Sequence, residues 1–280
     1  MNKYFVFLVV IILGIFLCFT TNEDRTLRWR NSKGEWNVVP ADWSPGLKKL
    51  LIAYPRTFLD ATDNSIIWPD GTEMVYDDGY LFKSYYDMLK NADLEDMMKQ
   101  EYISGSRIKF PLPKNYNPGV VRYEPFFFKM YGQTRDEVVS NLTKIVWLPE
   151  NEDSNLKITT VNNVHKKLQE ISDQLDTLTH LHKYLKTPGG TFNWRVILNT
   201  NNVSMHSFGI AIDINVSFSN YWRWDNPNVS AFEGLDIPYK NKIPLEIVKI
   251  FEKHGFVWGG KWYHYDTMHF EYRPELLVDI

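Results

Sequence analysis

The chain of 280 residues holds a single cysteine, Cys18, so no internal disulfide can form and the fold must be held by its core and by any metal it takes up. An excess of one charge is lacking too. Against 31 lysines and arginines stand 34 aspartates and glutamates, a formal net charge of -3, which provides no basic field and excludes nucleic acid as an indicated partner. Internal repeats and low-complexity tracts are absent. With 44% hydrophobic and 15% aromatic residues, the chain is neither disordered nor fibrous and can bury a substantial core.

Lys3 precedes an apolar run from Tyr4 to Phe19, which passes into Thr20-Thr-Asn-Glu-Asp-Arg25. The run is shorter than the ~20 residues of a usual spanning helix, and no small-residue cleavage site of the Ala-x-Ala kind follows it. Leu17 stands where a lipidation motif would place a small residue before Cys18. Residues 1–25 therefore read as a signal peptide or membrane anchor, and the expectation is an exported protein, secreted or held at the membrane, whose N-terminal segment engages the bilayer.

Two clusters carry chemistry. Ser204-Met-His206-Ser-Phe-Gly209-Ile-Ala-Ile-Asp213 is followed by Asp266-Thr-Met-His269-Phe-Glu271. The isoleucines of Ile210-Ala-Ile-Asp-Ile-Asn-Val216 alternate with Ala211, Asp213 and Asn215, the period of a strand with one face in the core, so Asp213 points away from the apolar layer. His206 lies seven residues earlier, on the opposite face of an unbroken strand, and Gly209 supplies the turn that brings it round. In the second cluster His269 and Glu271 share a face opposite Met268, Phe270 and Tyr272.

Two imidazoles and a carboxylate suit Zn²⁺, which when catalytic keeps a fourth position for water and lowers that water's pKa to ~7. His206, Asp213 and His269 are the candidate ligands, and Asp266, just before the strand, is the candidate proton acceptor. Other readings stay open: Asp266 as a turn residue, Glu271 as a partner orienting a ligand imidazole or as a solvated charge, and His264 as a ligand in place of His269. Arg195 could bind a carboxylate or stack on Trp194; Ser204 could donate to substrate or serve its own loop.

At these residues, and through Phe192-Asn-Trp-Arg195-Val-Ile and Gly255-Phe-Val-Trp258-Gly-Gly-Lys-Trp262 to Glu275, the chain resembles the M15 family of zinc D,D-peptidases, which trim peptidoglycan. The resemblance covers roughly residues 130 to 280. It implies that His206, Asp213 and His269 bind zinc, that Asp266 is the catalytic base, and that Arg195 holds a substrate carboxylate or the developing oxyanion. It also implies a peptidoglycan peptide as substrate and a site in the bacterial cell envelope. A noncatalytic cell-wall binding or signalling module with a structural zinc is the reading from another class, and the unligated Asp266 counts against it.

Elsewhere, Arg28 to Pro55 reads as irregular, and Asp93 caps a short helix through Lys99. Phe110 to Gly119 reads as a long loop, a boundary or a flap. Thr134-Arg-Asp-Glu137 starts a helix through Leu142. Val164, Leu168, Ile171, Leu175 and Leu178 predict one amphipathic helix over 160–185, with His180 and His182 facing solvent or its carboxyl end. Pro244 opens a helix that Gly255 closes, with Leu245, Val248 and Phe251 buried. Tyr221-Trp-Arg-Trp224 is an aromatic cleft wall or a core plug. The expected architecture is α+β, a mainly antiparallel sheet flanked by helices with the zinc site at the sheet, and an N-terminal extension of residues 26–130 packed on a catalytic domain of residues 131–280.

Overall fold

The computed structural model describes residues 26–152, 154–197, 202–227 and 235–280. The expected leader, residues 1–25, lies outside them. Among the described residues no helix is long and apolar enough to cross a membrane.

The architecture is α+β, as expected, but the antiparallel strands divide into several small sheets. In the N-terminal part a hairpin of β1 (Arg28–Arg30) and β2 (Trp36–Val38) leads to helix α1 (Pro45–Ala53), and β3 (Asp60–Ala61), β4 (Ser65–Ile67) and β5 (Glu73–Val75) form a second sheet. Arg28 to Pro55, expected to be irregular, thus holds two strands and a helix. Ser44 caps α1 by accepting from Leu47 N–H, Pro45 opens its first turn, and Leu47, Leu50 and Leu51 seat it in the core. Helices α2 (Tyr85–Asn91) and α3 (Leu94–Met98) follow, the latter capped by Asp93.

After the irregular stretch through Gly119 come α4 (Glu124–Tyr131) and α5 (Arg135–Ser140), then the hairpin of β6 (Leu142–Trp147) and β7 (Ser154–Thr159). The helix opened by Thr134 ends at Ser140 rather than Leu142, because Leu142 pairs with Thr159 in that hairpin. The helix expected over 160–185 is broken. Helix α6 (Val164–Asp176) stops where Leu178 leaves helical geometry (φ -100, ψ 71), and α7 (His182–Leu185) resumes the same buried stripe with Leu181 and Leu185. His182 fills the break: its Nε2 lies 3.0 Å from the Asp176 carbonyl, at the helix's carboxyl end.

The sheet that matters for function has strand order β10 (Phe256–Trp258), β11 (His269–Tyr272), β9 (Ala211–Asn215), β8 (Pro188–Gly190), all antiparallel. Residues Pro188 to Gly190 form its edge. A Cβ at Gly189 would sit 3.0 Å from the Asp213 Cβ, so glycine is what lets β8 lie this close. Beneath the sheet runs α8 (Leu245–Lys253), whose Ile247, Val248 and Phe251 are buried; Leu245 is 38% exposed, contrary to expectation, because it opens the helix on its solvent side. Phe251 stacks on Phe270 of β11 at 3.9 Å, and Trp258 lies against the same ring. Full burial of one such ring contributes ~1.5–3 kcal/mol. One apolar cluster runs from Trp29 and Leu50 through Phe126 and Ile171 to Ile212 and Phe270, so the N-terminal part and the sheet share a core.

Candidate metal centre

Register builds the site. Asp213 on β9 is the direct cross-strand partner of His269 on β11, and both point away from the Phe270 side of the sheet. His206 arrives from a single 3₁₀ turn, Met205–Phe208, closed by Gly209 at φ +64. That left-handed residue is the turn expected between His206 and Asp213. A Cβ there would meet Leu142 Cδ2 at 2.6 Å, so space as well as backbone angle selects glycine.

His206 Nε2 lies 3.2 Å from His269 Nδ1 and 3.2 Å from Asp213 Oδ1, and His269 Nδ1 lies 3.0 Å from the same oxygen. Four equivalent ligands about zinc at 2.0–2.1 Å stand roughly 3.3 Å apart, so this triangle has the dimensions of a tetrahedron's face. The far side of each ring is already engaged. His206 Nδ1 is 2.7 Å from the Thr191 carbonyl, and His269 Nε2 is 3.1 Å from Glu271 Oε2. With those ring nitrogens engaged, the other nitrogen of each ring turns inward, so two nitrogens and a carboxylate oxygen converge on one point. These three residues form a group able to hold a metal ion, and their chemistry fits zinc.

Electrostatics follow from burial and pairing. Burial opposes charge on Asp213, yet the hydrogen bonds from His206 and His269 outweigh it and hold the carboxyl well below the usual range. The same balance raises His269 to about 10, burial being overcome by Asp213 and Glu271. Asp266 goes the other way. Burial, with the Asp213 charge added, pushes its carboxyl up to about 7 against the pull of His269 and Arg195. Its Oδ1 is buried with no hydrogen-bond partner, and its backbone pairs with Tyr221 and accepts from His269 N–H at 3.3 Å.

Arg195 is exposed, its backbone N–H donating to Ser207 Oγ at 2.8 Å, and its charge is near enough to act on both Asp266 and Tyr221. Ser204 is buried and donates its backbone N–H to the Arg195 carbonyl, so it shapes the loop that presents Arg195. His264 stands outside the triad: its Nδ1 is 3.2 Å from Asn117 Nδ2 and its ring meets Trp222 edge-on. Trp222 is a plug, 3% exposed, whereas Trp224 is 51% exposed. Glu271 is wholly buried and partners His269, not a solvated charge.

Two contributors had no sequence signal. Thr191 orients His206 through a backbone carbonyl, which any residue provides, and Arg122 reaches Glu271 from a region without motifs.

Residues 198–272 match the family model described as D-alanyl-D-alanine carboxypeptidase of the M15 peptidases. The match shows the M15 resemblance for this segment, which contains His206, Asp213, Asp266, His269 and Glu271 and begins after Arg195. No curated protein and no solved structure gives a significant match.

Proposed function

We propose that this chain is a zinc-dependent peptidase that hydrolyses peptide bonds of peptidoglycan stem peptides, as a D,D-carboxypeptidase or related endopeptidase, in the bacterial cell envelope. The observation that carries the reading is the convergence of His206 Nε2, Asp213 Oδ1 and His269 Nδ1 within 3.2 Å of one another, beside an acid that none of them engages through its side chain. The match to a peptidase family over the same residues supports it.

His206, Asp213 and His269 would hold the ion, which when bound supplies Lewis acidity and a more acidic water. Asp266 Oδ1, buried and unpartnered, is the acceptor for a proton leaving the attacking water and the donor that returns it to the amine nitrogen as the C–N bond breaks. Arg195, exposed beside Asp266, offers a planar guanidinium to a substrate carboxylate or to the oxyanion. Trp262, ring to ring with His269 at 5.7 Å, helps keep water from the back of the site.

The test is incubation of the purified protein with muropeptides, with zinc or with a chelator, followed by mass spectrometry. Loss of a terminal residue or of a cross-link in the zinc arm only is expected. Unchanged muropeptides in the zinc arm would sink the reading in favour of a binding module, and the fragment masses identify the bond cut.

A further inference from the structure

Glu271 has no exposure, yet three donors share its carboxylate. His269 Nε2 lies 3.1 Å and Arg122 Nη2 2.6 Å from Oε2, while Arg273 Nη1 lies 3.2 Å from Oε1. Arg273 continues the run through Nε to Glu275 Oε1 at 2.5 Å and through Nη1 to the Gly119 carbonyl at 2.8 Å. Signs alternate from Arg122 through Glu271 and Arg273 to Glu275, so this buried chain is neutral and ends on His269.

The segment that brings Arg122 in is pinned on both sides. Trp262 Nε1 donates to the Pro118 carbonyl at 2.8 Å, and Glu124 accepts from Val203 N–H, next to Ser204. Gly119, at φ +96, leaves the room: a Cβ there would stand 3.2 Å from Leu276 Cδ1 and 3.4 Å from Glu271 Oε1. Arg122 itself is nearly buried, its side chain 7% exposed, so its bond to Glu271 is charge-assisted and poorly screened.

An imidazole carries its proton on whichever nitrogen the surroundings engage as a donor. Glu271 engages Nε2 of His269 only while Oε2 stays where it is, and Arg273 holds the other oxygen. Arg122 is the group that fixes Oε2. We propose that Arg122 is a positioning residue for the metal centre: by clamping Glu271 Oε2 it sets the tautomer and ring orientation of His269 that direct Nδ1 at His206 and Asp213. The inference rests on reading those three residues as metal ligands. It makes the zinc affinity of residues 198–272 depend on a side chain from outside the family match.

Full-length protein is titrated with zinc in competition with a chromogenic chelator, and the tautomer of His269 is read from imidazole nitrogen resonances in the zinc-loaded state. Arg122→Met should weaken zinc binding about 10–100-fold, the range seen when second-layer partners of metal ligands are lost, and should populate both His269 tautomers. Arg122→Lys, which keeps a charged donor, should recover most of the loss. Glu271→Gln should show a similar loss, and Arg122→Met in that background should add little to it. Wild-type affinity and a single Nε2–H tautomer in a folded Arg122→Met protein overturn the assignment, as do fully additive losses. If Arg122→Met does not fold, the double variant with Glu271→Gln, which leaves no buried charge over, carries the test: wild-type affinity there overturns the clamp. A wild-type chain that takes up no zinc defeats the metal-centre reading instead, so the two failures are distinguishable.

Discussion

The Tyr54 hydroxyl donates to Glu275 Oε2 across 2.6 Å of buried space, joining helix α1 to the turn that follows the strand carrying His269. The same motif recurs at Tyr102, whose hydroxyl donates to Glu252 Oε1 at 2.8 Å. Both tyrosines tie the N-terminal part to the C-terminal one through a buried glutamate.

Alkaline pH should therefore unfold the protein. Burial, then the charge of Glu275, raises the Tyr54 hydroxyl well above 10.0, and burial with Glu252 does the same for Tyr102; burial also raises Tyr131. A group whose folded pKa is raised contributes stability that is fully present below its unfolded value and is lost as pH rises above it. Past pH ~10 each suppressed tyrosine costs about 1.4 kcal/mol per pH unit. Tyrosinate absorbance from the buried set should appear together with loss of circular dichroism. Complete tyrosine ionisation in a still-folded protein would contradict this.

Metal should stabilise the fold through its three ligands. At free zinc about a thousandfold above Kd the gain is about 4 kcal/mol, seen as a higher calorimetric Tm. His206→Ala or Asp213→Asn should remove that zinc-dependent shift. A shift of wild-type size in His206→Ala would place the ion elsewhere.

Asp266→Asn should keep zinc and the fold while lowering kcat by roughly 10²–10⁴-fold, the usual contribution of a positioned proton-transfer group. Metal analysis and a muropeptide assay on the same sample separate the two effects. Full turnover would remove Asp266 from the proton path.

Gly209→Ala should cost roughly 2–4 kcal/mol, from a left-handed backbone at φ +64 and from overpacking against Leu142. Urea denaturation measures it, with m unchanged. A neutral result would mean that the 3₁₀ turn carrying His206 tolerates displacement.

Much of the site was legible in the sequence because its residues sit on strands whose period shows which way each side chain faces. Asp213, His269 and Glu271 follow from alternation with Ile212, Ile214 and Phe270, and Gly209 marks the bend that His206 needs. Arg122 was illegible because it is 149 residues from Glu271 and lies in irregular chain. The break at Leu178 was hidden for a different reason. Leu181 and Leu185 continue the apolar stripe after the helix has stopped, so periodicity alone cannot register the gap, and the device that caps it is a histidine six residues on from Asp176. In Arg28 to Pro55 the cue was present, a serine before a proline, but short strands spaced by tryptophans have too little alternation to read.

The pairing of Asp213 with His269 also fixes when a metal ion could be captured between them. Slipping β11 by one residue along β9 would turn the imidazole onto the apolar layer and bring Met268 or Phe270 to the polar side. The donor set comes into being only once strands far apart in the chain have zipped in the right alignment, so capture of a metal by these three residues would come late in folding and would report that assembly of the sheet is complete.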